Sequence, residues 1–273
     1  MQLSATQIEQ YDLDGFLIFP GLFTETEVAA MRADLARVQR IDTDHLVRKR
    51  NGGVAKTIYR VHEPDGPTTS PPFHAAARSP RLLETSQQLL RDDALYIYHT
   101  KCNLKTAIDG SVWQWHQDYG SWKRDGVPRP DLTTALVMLD APTEIGGCLY
   151  FIPGSHKVGD LEPEMDDTTT SYKLWVVPKP DLLAIMARSP EPAPIIGPPG
   201  TTVFFHCNIL HSSGHNLSRH DRWQTYFVYN RTANRPGDVA NPRPDYVRST
   251  NTTPLRVGSD DITAPSALPH AAE

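Results

Sequence analysis

Apolar residues in the first ninety positions recur at helical spacing. One set repeats at every third or fourth position: Val28, Met31, Leu35 and Val38. This spacing predicts a helix that packs one stripe against a core. The pairs Ser4 with Gln7 and Thr24 with Glu27 have the spacing of capping boxes, so a helix is expected to begin at each. Another helix is predicted to begin at Pro80, because proline suits the first turn.

From residue 94 the pattern changes to that of strands. Residues 94–105 alternate, and one face carries several polar side chains: His99, Lys101, Asn103 and Lys105. A face this polar is either solvated or lines a wet pocket inside a barrel. The two lysines fit both interpretations, although lysine is more often solvated.

Four apolar runs follow further along the chain. We interpret 131–140 as a buried strand with 148–152 as its neighbour. Runs 202–205 and 223–229 flank a histidine-rich turn, and we interpret them as an antiparallel pair. Such a pair would place the histidines of the turn and the start of its second strand in one barrel.

Two stretches have no clear period. Residues 40–78 are irregular and rich in proline, which predicts a surface loop. The alternative is a strand over 57–62 with Tyr59 or Arg60 facing a substrate. Residues 159–172 are acidic and rich in threonine, as solvated loops are, or they form a lid whose carboxylates meet a substrate ammonium.

Bulk composition excludes several classes of protein. A length of 273 residues with 39% hydrophobic content allows one sizeable core. The net charge of -5 gives no basic surface for nucleic acid, and no apolar run is long enough to span a membrane. The three cysteines are widely spaced and predict buried thiols. With no signal-peptide pattern at the start of the chain, these features favour a cytoplasmic protein, either a monomer or a homodimer.

Candidate chemistry centres on His116 and Asp118, which are flanked by aromatic residues. Residues i and i+2 of a strand share a face, so the imidazole and the carboxylate would enter one pocket. With 11 histidines and 32 acidic residues, one or two such pairs arise by chance. A further histidine would complete the 2-His-1-carboxylate triad of non-haem Fe(II) oxygenases. His211 is a candidate, and Arg222 could bind a carboxylate bidentately nearby, with Ser213 as an added donor.

The motifs together resemble the phytanoyl-CoA dioxygenase-like Fe(II)/2-oxoglutarate oxygenases. The resemblance rests on 115–119, the run 146–157, and His211-x-Ser213 followed by Arg222, which are similar to the ectoine hydroxylase branch. The N-terminus and 242–255 look closer to a free L-leucine hydroxylase of that branch. Among the histidines of the turn, only His211 sets Ser213 and Arg222 at the family's spacing, so it is preferred over His206, His215 and His220.

The resemblance implies a fold and a domain arrangement. The expected fold is mainly β with flanking helices: a double-stranded β-helix, or jelly-roll, cupin-like barrel. A single oxygenase domain would span 1–255, with helical decoration over 1–93 and the barrel core over about 94–232. The small and polar residues of 256–273 predict a flexible tail.

The resemblance also implies roles for individual residues. His116, Asp118 and His211 would ligate Fe(II) and form the catalytic centre. The expected contacts to the 2-oxoglutarate cosubstrate are Arg222, Ser213, Asn103 and Trp113. The expected contacts to the substrate are Trp122, His99 and Tyr59. His99 stands where the ectoine and leucine enzymes have glutamine. Because halogenating relatives replace the carboxylate at the position of Asp118, its presence favours hydroxylation.

The expected reaction consumes 2-oxoglutarate and O₂, releases succinate and CO₂, and hydroxylates an unactivated C–H bond, with ascorbate as reductant in vitro. The expected substrate is a small polar molecule of specialised metabolism, with a free amino acid or derivative first. One alternative is a larger natural-product scaffold or a carrier-bound aminoacyl group. A different class would be a non-catalytic cupin-like binding protein. A structural zinc site fits poorly, because zinc prefers a closed shell with cysteine or more histidine.

Overall fold

The computed structural model describes residues 1–48, 54–109, 111–168 and 173–264. Thirteen strands are found in these ranges: β1 (Phe16–Phe19), β2 (Leu46–Arg48), β3 (Ala55–Tyr59), β4 (Leu95–Lys105), β5 (Trp113–His116), β6 (Leu132–Met138), β7 (Leu149–Phe151), β8 (Glu164–Asp166), β9 (Leu174–Val176), β10 (Ala193–Ile195), β11 (Thr202–His206), β12 (His211–Ser213) and β13 (Arg222–Arg231). Six α-helices accompany them: α1 (Ala5–Asp14), α2 (Glu25–Val38), α3 (Pro71–Arg78), α4 (Leu83–Leu90), α5 (Tyr119–Trp122) and α6 (Lys179–Met186).

Two antiparallel sheets build the barrel. The larger has the strand order β1-β11-β6-β13-β4-β3-β2, and the smaller has the order β10-β7-β12-β5. One apolar cluster takes side chains from both sheets, including Leu136 and Phe205 from the larger and Phe151 and Ile195 from the smaller. The sheets therefore pack face to face. This is the double-stranded β-helix expected from the sequence, and β8 with β9 forms a separate hairpin.

The N-terminal helices cover the larger sheet. Both predicted capping boxes are present, at Ser4 with Gln7 and at Thr24 with Glu27. The stripe of α2 is buried and belongs to a cluster that also contains Phe227 of β13. Apolar burial of this kind holds the helical layer on the barrel. Among the described helices, none combines the length and apolar character needed to cross a membrane.

The region 40–78 is more ordered than predicted. It contains β2, β3 and α3, and the helix begins with Pro71 at its first turn. Proline lacks an N–H that the first turn would leave unbonded, so clustered prolines can start a helix as well as fill a loop. The next helix, α4, begins at Leu83, later than the Pro80 start that the sequence predicted.

Two predicted strand pairings are wrong. β6 and β7 lie in different sheets, so 148–152 is not the sheet neighbour of 131–140. β11 and β13 share a sheet but are separated by β6, and the turn between them contributes β12 to the opposite sheet. In a double-stranded β-helix, consecutive strands cross between sheets, and local periodicity carries no signal for that crossing.

The segment after residue 255 packs against the helical layer as far as it is described. Ile262 is buried in the main apolar cluster, and Arg81 forms an ion pair with Asp260 at 2.7 Å. Gly258 donates its backbone N–H to the carbonyl of Arg78. The tail predicted from residue 256 is thus packed through residue 264, and 265–273 lie outside the described residues.

Candidate metal centre

His116, Asp118 and His211 converge in the barrel. One possible ligand atom from each lies within 4.8 Å of the others. The Nε2 atoms of His116 and His211 lie 3.7 and 3.9 Å from Oδ1 of Asp118. Strand pairing explains part of this geometry, because His211 on β12 is the direct partner of His116 on β5. Two imidazoles and one carboxylate are the donor set of a facial Fe(II) site.

Backbone carbonyls fix the orientation of both imidazoles. Nδ1 of His116 lies 2.6 Å from the carbonyl oxygen of Gln114, and Nδ1 of His211 lies 3.0 Å from that of Ile209. A ring that donates from Nδ1 keeps a lone pair on Nε2 for a metal. Burial, with a smaller effect from His211, lowers the pKa of His116 to about 3. The imidazole is therefore neutral, as a metal ligand must be.

Asp118 reaches the site by a different route from the one predicted. β5 ends at His116, and Asp118 has helical dihedral angles (φ −57°, ψ −38°) at the start of α5. Strand alternation therefore does not place the carboxylate, and the turn into α5 does. Burial opposes its ionisation, but the nearby His211 and His116 hold its pKa below the usual value.

The other histidines of the turn lie away from the triad. His206 packs its ring 5.2 Å from that of His156, and both lie near the N-terminal helix. His215 and His220 are exposed. Of these histidines, His211 is the one that lies in the cluster with His116 and Asp118 among the described residues.

A chamber extends from the triad toward Arg222, and we call it the inner chamber. The predicted cosubstrate contacts all line it: Asn103, Trp113, Ser213 and Arg222. Arg222 is only 4% exposed, yet its Nε and Nη1 have no hydrogen-bond partner in the described part of the chain. Leaving two nitrogens of a buried guanidinium without an acceptor is costly. This site thus fits a carboxylate ligand, and 2-oxoglutarate has one at the required end.

Two lysines of β4 also line the inner chamber. The sequence alone did not decide whether these lysines are solvated or line a pocket. Nζ of Lys101 lies 4.9 Å from the Trp113 ring centroid and 5.1 Å from that of Tyr226. Lys105 is 2% exposed and donates to Oγ of Ser213 at 2.7 Å. The polar face of β4 is therefore the pocket face. Alternation showed that these residues share a face, but only the sheet pairing shows which face is inside.

A second cavity of about 420 Å³ shares His116 and Asp118 with the inner chamber. We call it the outer chamber, and it includes all the predicted substrate contacts: Tyr59, His99 and Trp122. Nδ1 of His99 bonds to the carbonyl oxygen of Val247, and burial lowers the pKa of His99 to about 3. Its neutral ring thus has Nε2 left as an acceptor on the chamber wall. The Tyr59 and His99 rings lie 5.5 Å apart.

Arg243 lines the outer chamber and was not singled out from the sequence. Its Nη2 lies 2.6 Å from Oδ2 of Asp125, and its backbone N–H donates to the same carboxylate at 2.9 Å. Tyr98 also donates to Asp125. Burial opposes ionisation of Asp125, but Arg243 outweighs it and lowers the pKa. The pair fixes the segment after β13 over the chamber.

Replacing Arg243 by methionine is expected to destabilise the protein by about 3 kcal/mol, because it leaves the Asp125 carboxylate buried without its cation. In the wild type, the depressed pKa of Asp125 contributes stability above the unfolded pKa, which is about 3.9, and this contribution is lost as the pH falls through the folded value. Thermal unfolding at several pH values measures both effects. Equal melting temperatures near neutral pH would contradict the structural role of the pair.

The acidic residues of 159–168 do not line the outer chamber, where the predicted lid would have placed them. Asp160 pairs with Lys123 at 2.6 Å, and Glu162 pairs with Arg124 at 2.9 Å. These contacts join the loop to the turn after α5. The remaining part of the predicted lid, 169–172, lies outside the described residues.

Comparison with known proteins agrees with this site. The family model described as phytanoyl-CoA dioxygenase (PhyH) matches residues 11–223. The ectoine dioxygenase of Bordetella bronchiseptica is 30% identical over 258 residues, covering 90% of this chain and 82% of that protein. The L-proline trans-4-hydroxylase of Streptomyces griseoviridis is 30% identical over 268 residues, covering 93% and 97%.

Solved structures give the same result. EctD from S. alaskensis with 2-oxoglutarate and 5-hydroxyectoine has a TM-score of 0.79 and 27% identity, covering 94% of this chain and 88% of that one. The form with bound Fe has a TM-score of 0.80 and 26% identity, covering 95% and 89%. A double-stranded β-helix with a His-Asp-His triad is typical of non-haem iron oxygenases. The chain belongs to the phytanoyl-CoA dioxygenase (PhyH) family, and it is an Fe(II)- and 2-oxoglutarate-dependent dioxygenase.

Proposed function

We propose that this dioxygenase hydroxylates an unactivated C–H bond of a small zwitterionic substrate, first of all a free amino acid or an amino-acid derivative. One observation carries the proposal. His116 and Asp118 line both chambers, and the inner chamber also contains His211 and Arg222. A cosubstrate held in one chamber and a substrate held in the other would meet at the metal.

The protein residues have separate tasks in this arrangement. His116, Asp118 and His211 hold Fe(II), which with 2-oxoglutarate supplies the oxygen activation when bound. Arg222 and Ser213 bind the distal carboxylate of 2-oxoglutarate. The buried Asn103 and the half-buried Trp113 line its path and limit access of bulk water to the reacting centre.

The outer chamber supports the choice of substrate class. Its volume suits a small molecule. Arg243 offers a guanidinium toward a carboxylate, and Nε2 of His99 offers an acceptor toward an ammonium. Tyr59 and Trp122 supply apolar surface for the carbon skeleton. Ectoine and L-proline, for which two relatives are named, each combine a carboxylate with ring nitrogen.

We also propose that the residues predicted for the domain, 1–255, form one oxygenase unit, and that the packed segment through residue 264 belongs to it. A single apolar cluster contains residues of the N-terminal helices, of the barrel strands and of the segment near Leu255. Continuous packing of this kind is typical of one folding unit.

We expect succinate release with Fe(II), 2-oxoglutarate, O₂ and ascorbate in the presence of one member of a panel of free amino acids, ectoine included. Mass spectrometry should find a singly oxygenated product in an amount equal to the succinate. Ring-containing and acyclic members of matched size identify the carbon skeleton that Trp122 and Tyr59 accept.

The other outcomes favour the alternatives. Anaerobic Fe(II) with 2-oxoglutarate should give a visible charge-transfer band. If the band forms but no panel member reacts, the substrate is a larger scaffold or a carrier-bound aminoacyl group. If neither band nor turnover is found, the proposed function is wrong, and a cupin-like binding protein is the better description.

A further inference from the structure

Gln117 lies in the sequence between two residues of the triad, and it is almost completely buried. Its Nε2 donates to the carbonyl oxygen of Gly159 at 2.8 Å and to that of Asn208 at 2.9 Å. Its Oε1 accepts from the backbone N–H of Leu161 at 3.0 Å. A carboxamide has two N–H donors and one acceptor oxygen, so every polar group of this side chain is bonded.

These hydrogen bonds join three segments of the chain. Gln117 itself begins the turn between β5 and α5, and Asn208 lies in the turn between β11 and β12, three residues before His211. Gly159 and Leu161 belong to the acidic segment that leads into the β8–β9 hairpin, and this hairpin lines part of the outer chamber. The side chain therefore connects both parts of the metal cluster to a wall of the outer chamber.

The three side chains of the triad are held in different ways. Backbone carbonyls orient both imidazoles, but the Asp118 carboxylate accepts no hydrogen bond from the backbone at the start of α5. Within the described residues, its ion-pair contacts are those with the two imidazoles. A ligating carboxylate is ordinarily oriented by hydrogen bonds of its own. The position of this one depends instead on the backbone of the turn that carries it.

Contacts on both sides of Asp118 fix that turn. On one side, the Gln117 carboxamide makes its three hydrogen bonds to other segments. On the other side, the backbone N–H of Tyr119 donates to the carbonyl oxygen of Cys207 at 3.2 Å. Cys207 and the Gln117 partner Asn208 are neighbours, so the turn is attached at two points to the segment that leads to the third ligand.

We propose that Gln117 is a positioning residue of the metal centre, whose carboxamide holds the turn of Asp118 against the segment leading to His211 and against the wall of the outer chamber. The inference rests on the proposed function, because it takes the triad as the Fe(II) ligands. Gln117 itself makes no contact with the metal in this role. Without the carboxamide, two buried carbonyls and one N–H lose their partners, and the turn relieves this cost by moving the carboxylate away.

Gln117→Met tests the role at nearly constant side-chain volume. Fe(II), titrated anaerobically without cosubstrate, should bind about 10- to 100-fold more weakly than to the wild type, the range in which outer-shell partners act on metal sites. Gln117→Glu keeps an acceptor for Leu161, but its carboxylate has no hydrogen for the two carbonyls. Its negative charge alone would favour a cation. Weaker binding by this variant too therefore identifies geometry as the cause.

Asn234 provides a matched control. It is a fully buried carboxamide whose Nδ2 donates to the carbonyl oxygen of Arg129 at 2.8 Å and whose Oδ1 accepts from the N–H of the same residue at 3.0 Å. It lines neither chamber. Asn234→Leu should lower the melting temperature, as Gln117→Met does, but should leave the Fe(II) affinity unaltered. A purely structural role of Gln117 would likewise change the melting temperature alone.

Hydrogen exchange of the wild type tests the same link without a substitution, and it decides the matter even where Gln117→Met does not fold. Because the turn and Leu161 are joined through Gln117, fixing the turn with Fe(II) should slow exchange of the Leu161 backbone N–H. The Gly258 N–H, bonded to the carbonyl of Arg78, is the reference and should exchange equally with and without the metal. Mass spectrometry of the corresponding peptides measures both.

The contrary results have different meanings. If Gln117→Met binds Fe(II) as tightly as the wild type, or if Fe(II) leaves exchange at Leu161 unchanged, the positioning role is wrong and the proposed function is unaffected. If the wild type does not bind Fe(II) at all, the proposed metal centre fails, and the inference fails with it.

Discussion

Asp118→Asn is expected to abolish hydroxylation while leaving the fold intact. The carboxylate is the only anion of the triad, and it lies within 4 Å of both imidazoles. An amide keeps the shape but removes the charge that balances a divalent cation, so two neutral imidazoles and a neutral amide remain. We expect Fe(II) affinity to fall by at least about 100-fold, the scale on which even outer-shell changes weaken metal sites.

Metal titration and turnover measure this effect separately. Fe(II) binding is followed anaerobically by calorimetry, and succinate release is followed at saturating Fe(II). Asp167→Asn, an exposed change of the same chemistry, should leave both unaltered. If Asp118→Asn retained wild-type affinity for Fe(II) and normal turnover, the triad would not be the metal centre.

Local features of the fold were predictable because their causes are local. Both capping boxes depend on residues three positions apart, and the stripe of α2 depends on spacing along one helix. The partner of β7 and the crossing of 211–213 into the opposite sheet depend on contacts far apart in the chain. Periodicity within one strand contains no information on those contacts.

The candidate site was likewise predictable only in part. His116, Asp118 and His211 were found from residue type and from the resemblance, and the structure brings them together. The reasoning for Asp118 was nevertheless wrong, because the strand stops two residues before it and a turn positions the carboxylate. Arg243 gave no signal of its own, since a lone arginine in a proline-rich segment is ordinarily solvated.

The placement of charged side chains explains why the two chambers favour different ligands. The inner chamber has the basic residues Lys101, Lys105 and Arg222 on its walls, with the carboxylate of Asp118 at the metal end. The outer chamber combines Arg243 with its buried partner Asp125 and with aromatic rings. A dianion such as 2-oxoglutarate is favoured in the first, and a molecule with balanced charge fits the second.

Arg222→Met is expected to raise the KM for 2-oxoglutarate by about 100-fold or more, the scale for truncating one member of a buried charge pair. Iron affinity should be unchanged, because Arg222 is not a member of the triad. The substitution should not destabilise the cosubstrate-free protein, because the guanidinium is buried with Nε and Nη1 unbonded to any described residue.

Arg222→Lys distinguishes bidentate recognition from charge alone. Lysine restores the charge but cannot make two parallel hydrogen bonds to a carboxylate, so we expect little recovery of the KM. Arg219→Met, an exposed change in the loop before β13, is the control and should leave the KM unaltered. Steady-state rates at varied 2-oxoglutarate with fixed Fe(II) give the values. A KM for Arg222→Met close to that of the wild type would show that the distal carboxylate binds elsewhere, and the assignment of the inner chamber to the cosubstrate would then be wrong.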